Sequence, residues 1–266
     1  MNWVHAVFLG VVEGVTEFLP VSSTGHLILA SEWLGLRGGA VKTFEVVIQA
    51  GAISAVLGLY WPRVRSMGGA LLDRGAPGAR LAVNLLVSFL PAAALGLALH
   101  GLIKEKLFGT GPVIFALALG GLLMLWVDSW FRWKGRGTRE LDSMTARDAL
   151  WIGLAQCFAL WPGTSRAMAT ILAGMLIGLS PVAAAEYSFL LALPTLGAAA
   201  LLDAVAGGPG WVRGIGWSAA AAGFLTAALV AAATMRGLIR YLNSRGLSLF
   251  GWYRLGLAGL VWLTVR

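Results

Sequence analysis

The chain has 266 residues, 58% of them hydrophobic and 12% charged, with 20 Lys and Arg against 12 Asp and Glu. Soluble domains carry about a quarter charged residues, so this composition and a mean hydropathy of +0.80 exclude a soluble domain, a disordered chain and a collagen-like repeat. The formal charge of +8 does not point to nucleic acid, because the basic residues lie in short loops between apolar runs rather than in one patch.

The pattern reads as an all-α polytopic membrane protein, a single integral domain over 1–266. The first apolar run carries Glu13 and Glu17 and no basic leader precedes it, so a cleaved secretory signal is not expected. In chain order, the stretch 3–34 is apolar but broken by FLPVSSTGH; runs 44–61, 81–103 and 112–131 follow. A second broken stretch, 147–178, contains LWPGTSR, and runs 184–205, 215–236 and 248–265 complete the chain. A spanning helix needs about 20 apolar residues, so six transmembrane helices are expected. Irregular backbone survives at membrane depth only where protein or a water-filled cavity satisfies it. The two broken stretches therefore read as re-entrant helix–break–helix hairpins, the kind of element on which membrane binding sites are built.

Alternation of the six runs puts twelve Lys and Arg on one side, at 63–80, 132–147 and 236–245, and six on the other: Arg37, Lys42, Lys104, Lys106, Arg213 and Arg266. The positive-inside rule makes the first side cytoplasmic and leaves both termini outside. Trp61, Trp126, Trp130, Trp133, Trp211 and Trp217 fall near span ends, where aromatic belts lie. The chain also repeats weakly. GVVEGVTEFLPVSST from Gly10 overlays GLAQCFALWPGTS from Gly153, setting Glu13 on Gln156, Pro20 on Pro162 and Ser23 on Ser165, and FEVVIQAGA (Glu45) matches AEYSFLLAL (Glu186). Three spans after each hairpin make the copies, about 1–133 and 145–266, inverted relative to each other.

Glu13 and Glu17 are four apart and share a helix face. Each such charge at membrane depth costs about 2.5–3.5 kcal/mol, so the pair calls for a cation: a divalent metal, Arg166 or a protonated His26. Two carboxylates suit Mg²⁺ or Ca²⁺ and equally suit proton transfer. In Pro20–His26, Ser22 and Ser23 look like the cap of a new helix, with His26 on the face of Ser23. A Ser beside a His suits a nucleophile with its base, or His26 itself attacks or protonates. Gly163, Thr164, Ser165 and Arg166 form a short phosphate cradle with the helix start behind them, and Thr170 adds a hydroxyl one turn on. It is not a Walker A loop, and Arg166 there calls for an anion unless it pairs with Glu13 or Glu17. His5 and His100 read as interfacial, Glu45 and Glu186 as braces for the broken helices, Asp148 as a cap or site residue, and the one cysteine, Cys157, as a small buried hydrophobe.

EGVTEFLPVSSTGHL together with PGTSRAMAT, in this order and with FEVVIQ and LALPTLGAA, resembles the undecaprenyl-diphosphatase (bacitracin-resistance) family of bacterial inner-membrane enzymes across essentially the whole chain. The resemblance implies a phosphatase that removes the terminal phosphate of undecaprenyl diphosphate, recycling the lipid carrier of envelope synthesis. It also implies a divalent cation, Mg²⁺ or Ca²⁺, a periplasm-facing site and a homodimer. Residue by residue it assigns Glu13 and Glu17; Ser22, Ser23 and His26; and Gly163, Ser165, Arg166 and Thr170. The chain departs from the usual Ser-Arg-Ser-Gly, reading Ser165-Arg166-Ala167-Met168, so any role of that second serine is absent here or falls to Thr170 or Thr164. On this reading the two breaks meet around the diphosphate, a metal is bridged by Glu13 and Glu17, and Ser23, His26 or an activated water attacks, Ser23 with His26 as base being the favoured version. The competing class is a carrier or flippase of an anionic lipid or phosphorylated solute, which has no need of carboxylates, a hydroxyl and a histidine converging on the phosphate.

Overall fold

The structure, a computed structural model, describes residues 2–36, 38–69, 78–107, 109–207 and 214–264. Arg37, Arg74, Trp211, Arg213 and Arg266 lie outside the described residues, as do the side chains of His100 and Lys104. The first half contains α1 (Trp3–Thr16), α2 (Ser23–Trp33), α3 (Gly39–Leu59), α4 (Trp61–Gly69), α5 (Ala79–Lys106) and α6 (Thr110–Lys134). The second contains α7 (Ala146–Gln156), α8 (Arg166–Leu176), α9 (Pro181–Gly207), α10 (Trp217–Ser244) and α11 (Ser248–Thr264). Extended pairing among the described residues amounts to one isolated bridge, Arg139 with Leu179.

Five helices, α3, α5, α6, α9 and α10, are long and apolar enough to cross a membrane, and the chain is a multi-pass membrane protein. The sixth expected span is α11, whose 17 residues reach about 26 Å at 1.5 Å per residue, somewhat short of the roughly 30 Å hydrocarbon core. The two broken stretches are each a pair of short helices, α1 with α2 and α7 with α8, of 11 to 14 residues apiece. An element not expected from the sequence is α4, a nine-residue helix with no buried side chain.

The packing has a paired pattern: α1 lies on α10 as α7 lies on α5, while α3 meets α9 and α6 meets α11. Small residues set the closest of these contacts. A Cβ on Gly10 would sit 2.8 Å from the Gly223 carbonyl oxygen, and one on Gly14 2.8 Å from that of Ala227, so the α1–α10 seam depends on a Gly-x-x-x-Gly stripe.

Local chemistry fixes the ends. Thr145 and Asp148 form a reciprocal capping box that opens α7, and Arg139 bonds the same carboxylate at 2.7 Å, which settles Asp148 as a cap. Asp128 of α6 caps α11 by accepting the Leu247 N–H at 3.1 Å and the Ser248 hydroxyl. At one end of the molecule Arg63 reaches Asp142 and Glu186 and Arg80 reaches the Asp142 carbonyl, so the segments 63–80 and 132–147 of the charge count are neighbours. Glu186 therefore pairs with Arg63 and does not brace a broken helix.

Gly14→Ala is expected to lower the thermal unfolding midpoint in detergent by about 3–10 °C, through overpacking of about 1–3 kcal/mol. Gly58→Ala on α3, where the added methyl meets nothing within 4 Å, should leave it unchanged.

Candidate active site

α1 stops at Thr16 because Pro20 supplies no N–H and biases its predecessor away from helix; the chain turns through 17–22 and restarts at Ser23. In the second hairpin a 3-10 turn, Cys157–Leu160, leads into Pro162 and Gly163, and α8 starts at Arg166. Ser22 (φ 75°) and Ser165 (φ 73°) are the two non-glycine residues with positive φ among the described residues. Such backbone costs about 1–3 kcal/mol and concentrates at functional sites. The backbone thus matches Ser22 with Ser165, and Ser23 with Arg166, one residue off the sequence overlay of Ser23 on Ser165. The second break carries one extra residue between its proline and its strained serine.

The two breaks meet at Glu17, which is 6% exposed. Its Oε2 accepts the Ser23 hydroxyl at 2.6 Å, and its Oε1 accepts Arg166 Nη2 at 3.1 Å. Arg166 Nη1 donates to the Ser188 carbonyl at 2.7 Å, and the guanidinium lies over the Phe18 ring at 5.8 Å. Of the two partners the sequence offered Arg166, an anion or a nearby glutamate, the structure shows Glu17. The Thr170 hydroxyl donates to the Arg166 carbonyl at 2.9 Å and lies 2.7 Å from Ser188 Oγ, whose hydroxyl it can accept, so it supports Arg166 and offers no free group in place of the missing serine. Ala167 is fully buried, and the Met168 N–H donates to Ser165 Oγ at 3.2 Å, capping α8. Thr164 contributes a turn bond from its N–H to the Trp161 carbonyl.

His26 is not on Ser23. Its Nδ1 lies 2.8 Å from the Ser22 carbonyl, which accepts only, so Nδ1 carries the proton and the ring Nε2 accepts from Tyr253 Oη at 2.6 Å. The rings stack at 5.7 Å. The proton acceptor in contact with Ser23 is the Glu17 carboxylate, and His26 instead props the strained Ser22.

Glu13 is 1% exposed and lies in the field of Glu17, Glu45 and Arg166. Among the described residues, its Oε2 and Arg166 Nε are buried without a hydrogen-bond partner. One is an acceptor and the other a donor, the complement of a cation carrying an oxyanion. Among the described residues no three His, Cys, Asp or Glu converge as a complete metal set. Mg²⁺ is commonly bound by one or two carboxylates with substrate phosphates and water filling the rest, so Glu13 with Glu17 fits that partial role.

Sequence reasoning passed over Ser188, Tyr253 and Arg254. Arg254 is 0% exposed and donates to four backbone carbonyls: Pro20 in the first break (3.3 Å), Gly163 in the second (2.8 Å), and Ala116 (3.0 Å) and Leu117 (3.3 Å) of α6. Its signal was an arginine inside an apolar run with no acid nearby. Gly163 (φ 94°) allows this approach, since a Cβ there would lie 2.8 Å from the Val113 carbonyl oxygen.

The model of the family described as bacitracin resistance protein BacA matches residues 6–260. The chain belongs to this family. It is 48% identical to a protein of Sorangium cellulosum named undecaprenyl-diphosphatase, over 99% of this chain and 87% of that one. A protein of the same name from Nitrosomonas europaea is 44% identical over 99% of this chain and 96% of its own length. One from Methylibium petroleiphilum is 44% identical over 98% and 94%. The BacA family match covers both breaks, Glu17 and Arg254 alike.

Arg254→Lys keeps the charge but cannot serve four carbonyls. Each buried acceptor left unpaired costs about 1–3 kcal/mol, so the variant should unfold at a clearly lower temperature in detergent than the wild type. An unchanged midpoint would remove Arg254 as the tie between the breaks.

Proposed function

We propose that this chain hydrolyses undecaprenyl diphosphate to undecaprenyl phosphate and inorganic phosphate, with the site between the two breaks. The observation that carries the reading is the single carboxylate of Glu17 holding both a serine hydroxyl and an arginine, beside an unpaired buried acceptor on Glu13 and donor on Arg166. The membrane setting and the names of the BacA relatives support a lipid diphosphate as substrate.

Arg166, with its free Nε, and the N–H groups opening α2 and α8 hold the diphosphate, since helix starts favour anions. Ser23 Oγ attacks the terminal phosphorus as its proton passes to Glu17. The Oγ–P bond forms while the anhydride P–O bond breaks, and undecaprenyl phosphate leaves. Water then cleaves the phosphoserine, with the same carboxylate handling the proton. Glu13, sharing with Glu17, would hold Mg²⁺ or Ca²⁺, which when bound neutralises charge on the phosphate oxygens. The remaining catalysis is positioning and electrostatics. His26 and Tyr253 keep Ser22, and so Ser23, in place.

The same proposal sets the chain in a bacterial inner membrane as a homodimer, with the site opening outward. The gathering of Arg63, Arg80 and Asp142 at one end supports a cytoplasmic assignment for that end.

Phosphate release from undecaprenyl diphosphate by purified protein should require Mg²⁺ or Ca²⁺ and stop with EDTA. Ser23→Ala, Glu17→Gln and Arg166→Ala should each reduce kcat by about 100-fold or more, the scale of losing one transition-state contact. Intact turnover in Ser23→Ala would transfer the attack to water, and no release by folded wild type under either metal would sink the enzyme reading. His26→Ala should lower turnover without moving the acidic limb of the pH–rate profile, because Glu17 and not His26 takes the proton.

A further inference from the structure

A cavity apart from the two breaks shares Tyr60 with the aromatic cluster that reaches Phe18. Phe18 packs edge-on against Phe189 at 5.4 Å, and Phe189 packs on Tyr60 at 6.3 Å. The cavity, of about 400 Å³, is bounded by Leu59 and Tyr60 at the end of α3, Glu186 near the start of α9, and Arg236 and Arg240 on α10. Pockets for small ligands begin at about 300 Å³. Arg236 and Arg240 are one turn apart and so share a face of α10. Both are exposed, and among the described residues neither has an acidic or hydrogen-bond partner. The one acid on the wall, Glu186, is engaged by Arg63 Nη2 at 3.6 Å, so the cavity keeps an excess of positive charge.

Depth adds to the argument. The 28 residues of α10 extend about 42 Å against a hydrocarbon core of about 30 Å. Counted from Trp217, the core is used up near Arg236, which puts the two guanidinium groups at headgroup level. Two planar guanidinium forks suit phosphate better than a point anion. The apolar Leu59, Met235 and Ile239 in the same wall suit the glycerol and first methylenes of a lipid, and basic pockets between helices on this side take anionic headgroups.

We propose that this cavity is a second, non-catalytic oxyanion site for a phosphate-class group, either the headgroup of an anionic phospholipid or free inorganic phosphate. It does not depend on the hydrolase reading. The test titrates full-length purified protein in neutral detergent with phosphatidylglycerol, with inorganic phosphate and with phosphatidylcholine, reading the unfolding midpoint as an apparent affinity. Each arginine at such a surface is worth about fivefold, so Arg236→Gln with Arg240→Gln should weaken binding about 25-fold, with turnover in detergent unchanged. Glu186→Gln, which removes the opposing carboxylate and frees Arg63, should tighten it. An effect of phosphatidylglycerol alone supports the site with a lipid occupant, and an effect of inorganic phosphate lost in the double variant supports it with free phosphate. Binding equal in wild type and double variant, equal stabilisation by phosphatidylcholine, or no binding overturns it. Should the double variant not fold, Arg240→Gln alone, expected about fivefold weaker, decides in the same way.

Discussion

Breaking a helix inside a membrane releases carbonyls that water is not there to satisfy, and the architecture around the site follows from how that need is met. Arg254 meets it for both breaks at once, holding Pro20 and Gly163 together with two carbonyls of α6. Because one planar guanidinium serves all four, the breaks cannot move independently. The position of Ser23, just after one, is thereby tied to that of Arg166, just after the other. No carboxylate neutralises Arg254 among the described residues, so its positive charge also adds to the field between the breaks, where an anionic substrate would lie.

The ionisable groups are arranged on the same principle but left incomplete. Glu17 has every oxygen engaged and serves as a fixed reference point. Among the described residues, Glu13, one turn earlier, has a buried oxygen with no partner, and Arg166 has a buried nitrogen with none. In a finished structural ion pair such vacancies are rare, since each costs free energy. Here they come as one acceptor and one donor, so that a cation and an oxyanion arriving together would satisfy both. On the proposed reading, substrate binding would also complete the core and so concentrate binding energy at the phosphate.

Much of this was legible in the sequence because charge is expensive at membrane depth. Glu13, Glu17 and Arg166 stood out in apolar stretches, proline and hydroxyl residues marked the breaks, and five of the expected spans followed from run length. What could not be read depends on contacts between distant segments. His26 is three residues from Ser23, yet its ring is turned away by the Ser22 carbonyl and by Tyr253 from α11. Ser188 is one hydroxyl in a long apolar helix, with nothing local to say that it meets Arg166 and Thr170. The overlay of the breaks slipped by one because identity of residue type put Ser23 on Ser165, whereas the backbone equates the two residues with positive φ. α4 has no buried face and so no periodicity to read.

The strained serines show why that slip matters. Glycine would adopt φ near 75° without strain, so serine at 22 and 165 calls for a reason. At 165 the hydroxyl caps α8 through the Met168 N–H, which stabilises the helix start that aims Arg166. At 22 no such bond exists, but the carbonyl takes the His26 ring proton, and the turn delivers Ser23 to Glu17. Both strained conformations persist because Arg254 fixes the backbone two residues before each, at Pro20 and Gly163. Met168, one of the two positions that depart from the motif the resemblance implies, packs into the space beside Gly120 that Arg254 also fills. Of the two departures, Met168 thus falls on the support of Arg254, while Ala167, fully buried, leaves the second serine of the motif without a replacement hydroxyl.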